Sequence, residues 1–133
     1  MSRRPLLVGI NHVALEVGDL EEAIAFYGSL FELGPIEREP GMAFMHMGDQ
    51  FTALSEGRRQ PPDDGRHFGL VVDDKEAARA ALAALGIEVR PGPRLDFVDP
   101  WGNLVQVVDY RDIRFTKTAE VLEAMGLGGL GKR

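Results

Sequence analysis

Between residues 8 and 17 ("VGINHVALEV") apolar and polar positions alternate, the mark of a strand with one face buried. Val13, Leu15 and Val17 fall on one face, and His12, Ala14 and Glu16 on the other. The period then lengthens in "GDLEEAIAFYGSLFELG", where Leu20, Ile24, Tyr27 and Phe31 recur at helical spacing. Asp19 is the expected N-cap, with Glu22 three residues on, and Gly34 and Pro35 end the helix. Short alternating runs at 36–39, 42–47 and 50–55 predict three strands, the last two joined through "GD".

The same grammar returns later in the chain. Shifted by 55 positions, "NHVALEVGDLEEA" (11–23) lies over "RHFGLVVDDKEAA" (66–78), with six of thirteen residues identical, among them His12 and His67. A strand at 66–72, an alanine-rich helix at 74–85, and strands at 87–90, 94–98 and 103–110 follow, with a reverse turn at "DPWGN". The reading is α+β: two βαβββ modules in one chain. Module one covers about 7–56, a solvated Pro/Gly/Asp linker 57–65, module two about 66–111 and a C-terminal extension 112–133, together a single domain. The apolar stretch around Val121, Leu122, Met125 and Leu127 asks for a packing partner, whereas the end "GLGGLGKR" is expected to be mobile.

Both histidines point away from the apolar face of their strands, and each has a very small neighbour on its own face, Ala14 or Gly69. That leaves room beside the imidazoles. Setting "GDQFTAL" (48–54) over "GNLVQVV" (102–108) matches Thr52 with Gln106 and adds both to the candidate cluster. Leu104 and Tyr110 share Gln106's face, and Glu16 shares that of His12. The third histidine, His46, depends on its turn. A two- or four-residue loop pairs it with Phe51, a three-residue loop with Thr52, and the sequence leaves both open.

Composition narrows the classes. A net charge of −6 without a basic cluster larger than "GRRQ" speaks against nucleic acid and anionic membrane surfaces. The absence of cysteine removes thiolate ligands and thiol nucleophiles and suits the cytoplasm. The apolar run after Arg3 and Arg4 is too short for a signal or membrane segment.

The paired modules, "NHVALEV", "RHFGLVVDD" and "DPWGNLVQVV" resemble the vicinal oxygen chelate superfamily over roughly residues 7–111. That superfamily includes glyoxalase I, extradiol dioxygenases, and fosfomycin- and bleomycin-resistance proteins. The resemblance implies that the two modules form a cupped mixed sheet around a divalent ion (Fe, Mn, Ni or Zn), held by a residue from the first strand and a carboxylate from the last strand of each module. It also implies a homodimer, sometimes with exchanged modules. Carried over, it makes His12, His67 and Gln106 the metal ligands, with Thr52 at the other carboxylate position. Neither Thr nor Gln can move a proton at neutral pH, which sets this chain apart from glyoxalase I. Three readings stay open: a metal-dependent lyase, isomerase or dioxygenase chelating a small substrate through neighbouring oxygens, a metal-free small-molecule-binding protein like the bleomycin-resistance members, and a degenerate module whose role is association.

Overall fold

The computed structural model describes residues 3–133. The first module runs β1 (His12–Val17), α1 (Leu20–Leu30), β2 (Ile36–Glu39), β3 (Met42–His46) and β4 (Phe51–Glu56). The second runs β5 (Phe68–Val72), α2 (Lys75–Ala84), β6 (Leu95–Val98) and β7 (Leu104–Asp109). A 3-10 turn at Tyr110–Asp112 and a short helix α3 (Ala119–Ala124) complete the chain. The strands form two open mixed sheets, ordered β1-β4-β3-β2 and β5-β7-β6. In each, the first strand runs parallel to the last, and the remaining pairs are antiparallel. Among the described residues no helix is long and apolar enough to cross a membrane.

Local chemistry explains the helix starts. The Glu22 amide donates to the Asp19 carboxylate, and the Glu76 and Ala77 amides donate to Asp74, so each helix has donors satisfied at its N-terminus. The helix-facing sides of both sheets then share one core. Leu15, Val17, Tyr27 and Leu54 from module one join Leu82, Leu95, Phe97, Val105 and Val107 from module two. Polar ties cross the same boundary. The Tyr27 hydroxyl donates to Asp99 at 2.7 Å, and the Asn103 amide donates to the Glu16 carbonyl at 2.9 Å. Gly18 lies so near Trp101 that a Cβ there would sit 2.7 Å from the indole Nε1.

Four expectations need correction. β1 starts at His12, not residue 8, because its ladder with β4 begins at the His12–Phe51 pair and leaves the preceding residues without a partner. The strand expected at 87–90 is reduced to one ladder bond, Arg90 amide to Asp96 carbonyl at 2.8 Å. Pro91 and Pro93 remove donors from the approach to β6, and Gly92 turns the backbone to a φ of 123°. The linker is exposed at most of its residues but is tied down at two, the Arg58 and Asp63 side chains being 4% and 8% exposed. The glycine-rich end is docked: Lys132 Nζ donates to the carbonyls of Tyr110, Ile113 and Phe115 and lies 3.8 Å from the Tyr110 ring centroid. The same extension reaches module one, where Lys117 binds the Met47 carbonyl and Asp49. Gly48 admits the extension, since a Cβ there would meet Met125 Sδ at 2.6 Å and Val121 Cγ1 at 2.9 Å.

Candidate functional site

A cleft of about 160 Å3 lies where β1, the linker and the start of β5 meet. It brings Glu16 and His67 together with Arg58, Gln60, Asp63, Arg66 and Asn103. Its wall is a continuous hydrogen-bonded chain. Gln60 Nε2 donates to Glu16 Oε1 at 2.6 Å, and Arg66 donates to Gln60 Oε1 at 2.5 Å and to Asp63 Oδ1 at 3.1 Å. Arg58 reaches Asn103, Asp63 and the Pro61 carbonyl. Burial acts to raise the Asp63 carboxyl. The Leu104 amide and the Arg66 and Arg58 guanidiniums outweigh it and hold the group below its ordinary value. His67 Nδ1 lies 3.0 Å from the Gly65 carbonyl, which can only accept. This bond assigns a ring hydrogen to Nδ1 and leaves Nε2 turned to other partners.

The sheet-one face opposite the helices carries an aromatic patch. His12 stacks on Phe51 with ring centroids 5.1 Å apart and planes 12° apart. Phe44 meets Phe51 edge-on at 5.5 Å, and His46 lies 5.7 Å from the same ring. The turn between β3 and β4 has four residues, 47–50, so His46 pairs with Phe51 and Met45 with Thr52. That pairing puts His46 on His12's face. Its Nε2 meets Glu37 Oε1 at 2.8 Å.

The same register relocates Thr52. It pairs with Val13 and Met45, on the helix-facing side, and is 4% exposed. Ala14 pairs with Ala53 as Gly69 pairs with Gln106, so Ala53, not Thr52, is the counterpart of Gln106. An alignment slip of one residue moves a strand side chain to the opposite face, and the 54-residue offset contained such a slip. Gln106 is half-buried, beside Gly69 and across from Asp96. Asp96 receives two bonds from Arg94 on Oδ2, while its buried Oδ1 has no hydrogen-bond partner among the described residues. Leu104 is buried, and its amide donates to Asp63. Tyr110 is buried under the extension, its hydroxyl accepting from the Lys117 amide. His12 makes its contacts with Phe51 and Asn11. Sequence reasoning passed over Arg58, Gln60, Asp63 and Asn103; for the first three the signal was a Gly/Pro-flanked run holding two arginines and two aspartates.

A second recess, of about 380 Å3, is lined by Ile87, Glu88, Arg90, Pro91 and Val98, beside the lost strand. It contains none of the candidate residues.

Residues 9–107 match the family model of the Glyoxalase/Bleomycin resistance protein/Dioxygenase superfamily. The chain belongs to this superfamily. The superfamily fold is shared with the fosfomycin resistance protein FosX of Listeria monocytogenes in its complex with Mn(II) and sulfate. The TM-score is 0.67 at 19% identity, covering 90% of this chain and 99% of that one. An integron cassette protein of Vibrio cholerae gives 0.64 at 20% identity, over 81% and 99%. By sequence, the cadmium-induced protein CadI of Mycobacterium tuberculosis is 36% identical over 76 residues, 55% of this chain and 49% of that protein. The chain thus spans about half the length of the curated relatives it matches.

The resemblance implies a metal centre of imidazoles and at least one carboxylate around one point. This chain offers alanine and glutamine at the two carboxylate positions. Among the described residues no group of three or more histidine, aspartate and glutamate side chains is placed to hold an ion. The donor set at these positions therefore lacks the carboxylate of that centre.

Proposed function

We propose that this chain is a metal-independent small-molecule-binding member of its superfamily. The observation that carries the reading is the strand register, which leaves both carboxylate positions without a carboxylate. In this reading the ligand is small, with a flat apolar body and a polar end. The body rests on the aromatic face of His12, Phe51, Phe44 and His46. The polar end meets Glu16 and the free Nε2 of His67 in the cleft. Aromatic surface with a few convergent polar groups is the usual make-up of such sites. The lack of cysteine is in keeping with a cytoplasmic protein.

The fold shared with Mn(II)-bound FosX favours the other reading, a metal-dependent enzyme, and one experiment separates the two. Untagged protein is purified with and without EDTA, and its metal content and co-purifying small molecules are measured, alongside His12→Ala, His67→Ala and Glu16→Gln. Small-molecule content that survives EDTA but drops at least fivefold in His67→Ala and Glu16→Gln supports binding without metal. Stoichiometric Fe, Mn, Ni or Zn in the wild type, lost in both histidine variants, would sink the proposal.

A further inference from the structure

The two modules finish their sheets differently at the outer edge. In module one β2 pairs with β3 over its whole length, and its charges are engaged: Glu37 meets His46, and Arg38 meets Glu21. In module two the corresponding stretch, 87–90, is pinned only at its ends. The Ile87 amide donates to the Leu82 carbonyl of α2 at 2.9 Å, and the Arg90 amide donates to the Asp96 carbonyl of β6 at 2.8 Å. Ile87 and Val89 pack on the core, so Glu88 and Arg90 turn outward. Between this stretch and β6 lies the recess of about 380 Å3, lined by Ile87, Glu88, Arg90, Pro91 and Val98.

The register of β6 fixes what its backbone offers there. The Asp99 amide bonds the Asn103 carbonyl at 2.9 Å, so the bonds to β7 are made at alternate residues, Leu95, Phe97 and Asp99. Asp96 and Val98 therefore present N–H and C=O to the outer edge, as the Arg90 bond to Asp96 requires. Val98 has no backbone partner on that side among the described residues. Glu88 and Arg90 flank it, both exposed, and among the described residues neither joins an ion pair.

We propose that this recess binds a free α-amino acid with an apolar side chain. An unpaired ladder residue asks for one partner that donates to its carbonyl and accepts from its amide. An α-amino acid carries both groups on one carbon, as an ammonium and a carboxylate. Strand direction orients it. The Val98 amide lies toward Asp96 and so toward Arg90, and the Val98 carbonyl lies toward Asp99 and Glu88. The ligand carboxylate accepts from the Val98 amide beside the Arg90 guanidinium, and the ammonium donates to the Val98 carbonyl beside the Glu88 carboxylate. Each ligand charge thus meets an opposite one through charge-assisted bonds. The side chain rests on Ile87, Pro91 and Val98. An internal residue of a peptide would make the two main-chain bonds but leave Glu88 and Arg90 unmatched, which favours the free amino acid. The recess is separate from the cleft at β1 and β5, so the proposal is independent of what the cleft binds.

The test is titration calorimetry of the full, untagged chain with L-leucine, L-valine and L-methionine. N-acetyl-leucine, which has no ammonium, and leucinamide, which has no carboxylate, are titrated beside them. At least one of the three amino acids is expected to bind saturably at millimolar concentration or below, and L-leucine at least tenfold more tightly than either derivative. Glu88→Gln and Arg90→Gln should each weaken amino-acid binding at least tenfold while keeping the wild-type circular dichroism spectrum and melting curve, since both side chains are exposed. In isotope-labelled protein the Val98 amide resonance should move on saturation. Absence of saturable binding by all three amino acids overturns the proposal. So do derivatives that bind as tightly as L-leucine, variants that bind as tightly as the wild type, or a Val98 amide resonance that stays in place.

Discussion

Asp99 anchors the joint between the modules from the inside. Its carboxylate accepts from the Trp101 and Asn103 amides, the Asn103 side chain and the Tyr27 hydroxyl. Burial first, and then the Asp99 charge, push the Tyr27 phenol far above its ordinary value, so it stays a hydrogen-bond donor throughout the accessible pH range. Tyr27→Phe removes one of four bonds and should cost about 1–2 kcal/mol in urea denaturation. Asn103→Ala should cost more, roughly 2–4 kcal/mol, because it strips partners from Asp99, Arg58 and the Glu16 carbonyl together. Equal losses in the two variants would contradict this ranking. At this scale the sequence was a partial guide. Face alternation put Glu16 and His67 on the side where the cleft forms. It could not detect a one-residue slip between two apolar strands, so Thr52 stood in for Ala53. Arg58 and Asp63 carried no periodic signal, since their roles depend on Asn103 and Leu104 some forty residues away.

Asp109 closes β7 and gathers several elements at once. It accepts from Arg111, from the Lys75 amide at the start of α2, and from Arg133 near the chain end. The Arg111 side-chain bonds lead, against the effect of burial, in holding this carboxyl far below its ordinary value of 3.8. A carboxyl with a depressed folded-state pKa stabilises the fold above its unfolded value, and that stability is lost as pH falls toward the folded one. Stability should therefore decline as pH drops below the ordinary carboxylate range, and Asp109→Asn should flatten the decline. Denaturant midpoints at a series of pH values check this, and an unchanged slope in the variant would refute the assignment. The elements themselves were legible where a period ran long enough, as in α1, α2 and the strands they cover. Residues 87–90 misled because alternation says nothing about the prolines that follow. The glycine-rich tail misled because composition does not register that one lysine can satisfy three carbonyls.

On the scale of the whole molecule the repeat was the most informative signal. An offset of 55 between two strand-helix stretches disclosed two equivalent modules and hence two sheets of matching connectivity. What it could not disclose is how the two halves are joined. Their union rests on a shared apolar core, on Asp99 and Asn103, and on a linker whose side chains hold both sides. Gln60 binds Glu16 in the first module, while Arg58 binds Asn103 and Asp63 binds the Leu104 amide in the second. This dual grip predicts that the peptide bond between the halves is dispensable. Fragments 1–64 and 65–133, co-expressed as separate chains with a tag on one only, should be recovered together. The linker then acts as a handle carried by the first fragment, and Arg58→Ala should reduce recovery of the second. A molecule divisible in this way is open to circular permutation, its ends moved to the old linker and its old ends tethered, with the arrangement of both sheets kept.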